Sequence, residues 1–207
     1  MEHKIIAIGR QFGSGGHEIA FRLSEELGIP MYDRDLVEMA ADKLGLSEIT
    51  VEAVDESVFN SFLSSYRYNG FAPRRVPLND STFETQSKII ESLAQKGPCI
   101  FVGRCADYVL REYSQCINIF IYASQKDRTE RIMKRYNISK KEAETSIKKM
   151  DHRRKQYYET YTDQSWGSIE SHQILFNISK LGIPQTIDTI KHLYADSLSS
   201  DPTKTNT

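Results

Sequence analysis

The run Ile5-Ile6-Ala7-Ile8-Gly9-Arg10-Gln11-Phe12-Gly13-Ser14-Gly15-Gly16-His17-Glu18-Ile19-Ala20 decides how the rest of the chain is read. Four consecutive apolar residues, three of them β-branched, read as a strand buried on both faces. A glycine-rich turn follows, and then a segment that puts Ile19, Leu23 and Leu27 on one helical face. Gly13, Gly15 and Gly16 permit positive φ angles, so the backbone N–H groups of the turn can converge. The helix behind them adds unpaired N–H groups and the positive end of its dipole. Strand, glycines and helix in this order build a cradle for phosphate, walled by Gly13, Ser14, Gly15 and Gly16. A tight strand-to-helix turn without a ligand is the alternative.

The loop departs from the usual pattern GxxxxGK followed by Ser or Thr. Aligned on Gly15, the lysine position holds Gly16, His17 and Glu18 follow it, and the first glycine position holds Arg10. No hydroxyl falls where one would meet Mg²⁺. Moving a phosphoryl group needs positive charge at the β- and γ-phosphates. Here Arg10 or a residue from elsewhere must supply it, or it is missing. His17 reads either as a phosphate donor or as a solvated first-turn histidine.

Outward from the loop, Cys99 to Val102, Ile117 to Ala123 and Ile174 to Ile178 are further short apolar runs, and Ile29 to Tyr32 is a weaker one. Helical patterns separate them: Glu18 to Leu27, Asp35 to Leu44, Thr82 to Ala94 closed by Gly97-Pro98, Ser124 to Arg135, and Ser139 to Tyr158. Ser139 and Glu142 have capping-box spacing. Strands alternating with helices predict an α/β fold with a mostly parallel central sheet of about five strands and helices on both faces. Val58 to Asp80 is aromatic and polar and reads as an insert or a binding loop, and the tail after residue 197 reads as disordered.

The 207 residues carry 27 Lys and Arg against 28 Asp and Glu, a net charge of −1, which argues against a whole-surface polyanion binder but not against a local basic site. The basic residues are balanced by acids on the same helices, so no nucleic-acid partner is expected. No apolar stretch has membrane-spanning length and no signal-peptide core is visible. Three scattered cysteines without CxxC spacing fit a reducing compartment, and a cytoplasmic location is expected.

On these residues the chain resembles the nucleoside monophosphate kinases, specifically the cytidylate kinase-like group of P-loop kinases, in a branch with a GSGG loop. The resemblance covers roughly residues 4 to 195. It rests on Ile6-Ala7-Ile8 with Gly13-Ser14-Gly15, on Tyr32-Asp33-Arg34-Asp35, on Val102-Gly103-Arg104, on Phe120 to Ala123 with Arg128 and Arg131, and on Asp151-His152-Arg153-Arg154. It implies a three-layer P-loop kinase fold in one domain over 1–197. An inserted acceptor-binding segment would lie at about 45–95 and a lid at about 128–161. It further implies transfer of a phosphoryl group from ATP, with Mg²⁺, to CMP or dCMP. Gly13, Ser14 and Gly15 would bind the ATP phosphates, Asp33 and Arg104 the acceptor, and Arg128 and Arg131 would serve the transferring group. The residues themselves add Gly16 and His17 at the phosphates and Arg10 at the transferring group, with Arg153 and Arg154 standing in for lid arginines if the lid is shifted by a turn. The departures are Cys105 where the family has aspartate, and Met150 and Tyr157 where it has lid arginines.

The residues support the same site by themselves. Positioned arginines stabilise charge on equatorial phosphoryl oxygens. Arg128, Arg131 and Arg135 share one helical face, although a solvated basic face paired with Asp127 and Glu130 would show the same spacing. Arg104 follows a strand and a glycine, at the strand end where α/β sheets hold ligands. Trp166 reads as a packing anchor, Tyr157, Tyr158 and Tyr161 as helix-face packing, and Cys105 as core. Two other functions remain open: a nucleotide-binding module without turnover, and a P-loop kinase for another small acceptor.

Overall fold

The computed structural model describes residues 3–33 and 80–196. Within them lie β1 (Ile5–Arg10), α1 (Gly16–Leu27), β2 (Met31–Asp33), α2 (Asp80–Lys96), β3 (Cys99–Val102), α3 (Ala106–Val109), β4 (Cys116–Tyr122), α4 (Gln125–Tyr136), α5 (Lys140–Thr162), β5 (Ile174–Asn177), α6 (Ile178–Leu181) and α7 (Ile183–Asp196). The five strands form one parallel sheet in the order β2-β3-β1-β4-β5. The expected helix at Asp35 to Leu44, residues 58–79 of the expected insert and the tail beyond residue 197 lie outside the described residues. Of the expected acceptor segment, residues 80–95 belong to the single helix α2.

The continuous apolar runs are explained by a core on each face of the sheet. Ile5 and Ala7 of β1 pack with Cys99 and Phe101 of β3 and with Ile89, Ile90 and Leu93 of α2. Ile6 and Ile8 turn the other way, onto Ile19 and Leu23 of α1 and Ile187 and Ile190 of α7. Neighbours in a strand face opposite sides, so a strand with helices on both sides has no polar positions to alternate with. Helix, sheet and helix are therefore the three layers. A smaller cluster of Ile132, Ala143 and Ile147 joins α4 to α5 and takes in Phe12 from the loop after β1.

Helix ends follow local chemistry. The Ser124 hydroxyl accepts the Asp127 N–H at 3.1 Å to start α4. Ser139 and Glu142 form the expected capping box at the start of α5. That helix runs one turn past the expected end at Tyr158, to Thr162. The sequence reading missed α7, although Ile187, Ile190 and Leu193 recur at helical spacing. Its Pro184 falls in the first turn, where the missing N–H costs nothing.

Gly9 lets the middle of the sheet close. A Cβ there would lie 2.7 Å from the Phe120 ring and 3.0 Å from His172 Nε2. Gly9→Ala should therefore destabilise the protein by about 1–3 kcal/mol, the cost of overpacking a filled core. In urea titrations the Phe120→Leu background should recover part of that loss. Equal losses in both backgrounds would mean that the ring is not what Gly9 accommodates.

Candidate active site

The loop after β1 is stitched to the carboxyl end of β4. Gln11 donates its N–H to the Ile121 carbonyl at 3.0 Å, and its side-chain oxygen accepts the Ala123 N–H at 3.3 Å. Gly13 and Gly15 have φ of 80° and 92°, and Gly15 caps α1 with no side-chain hydrogen bond. The first N–H groups of α1 thus face the loop without a side-chain acceptor, the arrangement that favours an anion. Gly13 also permits close packing, since a Cβ would lie 3.0 Å from the Arg128 carbonyl oxygen. Ser14 is fully buried and its hydroxyl donates to the Gln11 carbonyl at 2.9 Å. Its side chain braces the loop.

Gly16, at the lysine position, has no room for a side chain. A Cβ there would sit 2.7 Å from Cβ and 3.1 Å from Cγ of Arg10. The Arg10 side chain crosses this position, and its guanidinium carbon ends 2.9 Å from where a Cβ on Gly103 would stand. Two glycines make space for one arginine.

The other expected arginines divide. Arg131 lies with its guanidinium 3.4 Å from a Cβ on Gly15 and pairs with Glu18 at 3.1 Å. Arg154 donates to the Arg10 carbonyl at 3.0 Å and lies over the Phe12 ring at 5.6 Å. Arg128, expected at the transferring phosphate, is 8% exposed and is engaged by the Asp151 carboxylate and by Gln125 at 2.8 Å. Asp151 also accepts the Phe12 N–H at 2.7 Å. Arg128 therefore clamps the loop to α5 from beneath, because a buried guanidinium is held where its carboxylate is. Arg153 is exposed on α5, rotated about 100° around the helix from Arg154.

On the expected acceptor side, His17 Nε2 lies 3.1 Å from Oδ2 of the buried Asp33. The residue expected to meet ATP and the one expected to meet the acceptor are partners. Arg104 follows β3 in a run of three left-handed residues, with φ of 78°, 58° and 54° at Gly103, Arg104 and Cys105. Such residues are held only where the surroundings enforce them, and they concentrate at functional sites. The Arg104 guanidinium lies 5.0 Å from the centre of the Tyr157 ring. Burial pushes the Tyr157 hydroxyl up to about 12, against the charge of Arg104. Tyr161 stacks on Phe83 at 4.4 Å. Cys105 is buried, which raises its thiol far from reactivity.

A buried polar group underlies this side, and sequence reasoning missed it. Tyr158 donates to Asp107 at 2.6 Å, and His172 Nε2 lies 3.8 Å from the same carboxylate oxygen. His172 Nδ1 meets the Ser171 hydroxyl at 2.9 Å. Trp166 packs edge-on against Phe120, the anchor expected of it. Asp107, Tyr158 and His172 are 51 and 14 positions apart along the chain, so no local spacing could have joined them.

The sequence model of the cytidylate kinase-like family matches residues 5–180. No curated protein matches the chain. Among solved structures, an uncharacterized protein from Eubacterium ventriosum ATCC 27560 superposes with a TM-score of 0.72 at 28% identity, over 93% of this chain and 99% of that one. Shikimate kinase from Bacteroides thetaiotaomicron gives a TM-score of 0.51 at 13% identity over 93% and 98%. A gluconokinase from Sinorhizobium meliloti 1021 gives 0.52 at 12% over 96% and 97%. The last two share the fold.

Burial holds His172 below its ordinary range and Asp107 above its own. As pH falls through about 6.5, the unfolded chain binds a proton that native His172 refuses, so this residue makes stability fall. Asp107 acts in the opposite sense, because burial makes its native state take the proton before the unfolded chain does. Between about pH 7 and 5.5 the Tm of the wild type should therefore fall more steeply than that of His172→Gln. Parallel slopes would mean that His172 titrates as it does in the unfolded chain.

Proposed function

Because the chain belongs to the cytidylate kinase-like family, we propose that it transfers the γ-phosphoryl group of ATP to a nucleoside monophosphate, CMP or dCMP foremost. The observation that carries this reading is the path of Arg10, which sets a fixed cation beside a phosphate loop that lacks its lysine. A phosphate oxygen of the acceptor attacks the γ-phosphorus, the bond to the ADP oxygen breaks, and ADP leaves. The loop N–H groups hold the β-phosphate. Arg10, Arg131 and Arg154 balance the charge that spreads over the equatorial oxygens. Arg104 holds the acceptor phosphate, for which a guanidinium fork is suited.

Mg²⁺ carried by ATP would neutralise the charge of the transferring group when bound. The oxygen donors of Asp33 suit that hard cation, whereas His17, at the usual hydroxyl position, does not. Asp33 would hold the ion directly or through water.

A second reading has its own observation. The His17–Asp33 pair is a carboxylate-oriented imidazole of the kind that removes a proton from a hydroxyl. An acceptor phosphate needs no such base. A coupled assay over nucleoside monophosphates, sugar acids and polyols, with ATP and Mg²⁺, separates the two. Turnover confined to monophosphates supports the first reading, and turnover confined to alcohols supports the second. Tight ATP binding without turnover of any acceptor would leave a nucleotide-binding module.

Arg10→Ala should lower kcat/KM by about 10- to 100-fold, the scale of a lost charge-assisted hydrogen bond. Gly16→Lys should not help and should lower Tm, because its Cβ would collide with Arg10. Arg10→Gly together with Gly16→Lys should restore much of the activity. Improvement by Gly16→Lys alone would show that Arg10 does not occupy the lysine's place.

A further inference from the structure

Gln86, in the described part of the acceptor side, is buried with one polar atom left without a hydrogen-bond partner. It stands on α2, 1% exposed, between Phe83 and the core residues Ile89 and Ile90 of the same helix. Its side-chain oxygen accepts the Tyr157 hydroxyl at 2.9 Å, while Nε2 is buried with no hydrogen-bond partner. Turning the carboxamide over does not remove the problem, because one end then meets the Tyr157 hydroxyl and the other is still left unmet. An unmet buried polar group shifts a folding equilibrium by about ten- to a hundredfold against the native state. A leucine in the same place would remove that group, but would leave the Tyr157 hydroxyl without its Gln86 acceptor.

The surroundings indicate what the free end is for. Tyr157 carries Gln86 on its hydroxyl and the Arg104 guanidinium over its ring. Phe83 packs edge-on against Tyr157 at 6.3 Å and face-to-face on Tyr161. A fixed cation, flat apolar rings and one unmet hydrogen-bonding edge therefore gather around one side chain at the carboxyl end of β3. That combination matches an acceptor that carries an anion, a flat ring and a polar ring edge.

We propose that Gln86, held by Tyr157, reads the base edge of the acceptor nucleotide while Arg104 takes its phosphate. This rests on the monophosphate kinase reading and deepens it, since it assigns a specificity residue that the phosphate loop does not supply. A carboxamide can offer an N–H or an oxygen, so Gln86 itself accepts either pyrimidine. A carboxylate in its place would keep an acceptor for the Tyr157 hydroxyl but present only oxygen to the base. It would favour the amino group of cytosine and oppose the 4-oxo group of uracil.

Calorimetric titration of CMP and UMP into the wild type, Gln86→Leu and Gln86→Glu, with a non-hydrolysable ATP analogue present, tests this without relying on turnover. Gln86→Leu should weaken acceptor binding by about tenfold or more and leave the affinity for the analogue unchanged. Gln86→Glu should raise the CMP-to-UMP affinity ratio by about tenfold or more. Should Gln86→Leu prove unstable, the ratio in Gln86→Glu decides alone. If the wild type binds monophosphates and neither variant alters acceptor affinity or ratio, Gln86 only braces α2 against α5 and the inference fails by itself. If the wild type binds no monophosphate, the monophosphate kinase reading fails and takes the inference with it.

Discussion

The top of the sheet is organised around the path of the Arg10 side chain. It leaves the last position of β1, crosses the place where Gly16 has no Cβ, and ends against Gly103 beyond β3. A lysine at position 16 and an arginine at position 10 cannot share that space. The guanidinium that results is a planar fork rather than a mobile ammonium, fixed between the glycine loop and Gly103. Its backbone carbonyl is held in turn by Arg154, so the same residue ties the loop to α5.

Helix α5 is the strut that links the two halves of the site. Asp151 and Arg154 engage the phosphate loop through Phe12 and Arg10, and Tyr157 and Tyr158, one turn further on, meet Arg104 and Asp107. These positions recur at three- and four-residue spacing and so lie along one side of the helix. The same helix buries Ala143 and Ile147 against α4 near its capped start. A displacement of α5 would be felt at the loop after β1 and at Arg104 and Asp107 together, because side chains within three turns contact both.

Several features here work against stability. Arg104 and Cys105 hold left-handed backbone, Asp107 is buried, and Arg128 Nε and Gln86 Nε2 have no partner. Each departs from the satisfied, unstrained pattern of the sheet beneath, where Ile5, Ile6, Ile8, Ile100 and Ile119 are almost wholly buried. Local rules broken in one region and kept elsewhere mark the region where chemistry, rather than folding, selects the residues.

The sequence by itself determined the α/β class, the strands, the capping box at Ser139 and the glycine loop, because all of these depend on neighbours a few positions apart. It also pointed to Arg10 and Arg104, since each directly follows or ends a strand. Only the tertiary structure decided that Arg128 belongs to Asp151, that Ser14 turns inward, that His17 meets Asp33, and that Arg153 faces solvent. The Asp107, Tyr158 and His172 group, and the partnership of Gln86 with Tyr157, likewise exist only once α5 lies across the strand ends. A side chain's spacing in sequence places it on a face of its own element. Which charge it meets there depends on how the elements pack, and no local pattern encodes that distance.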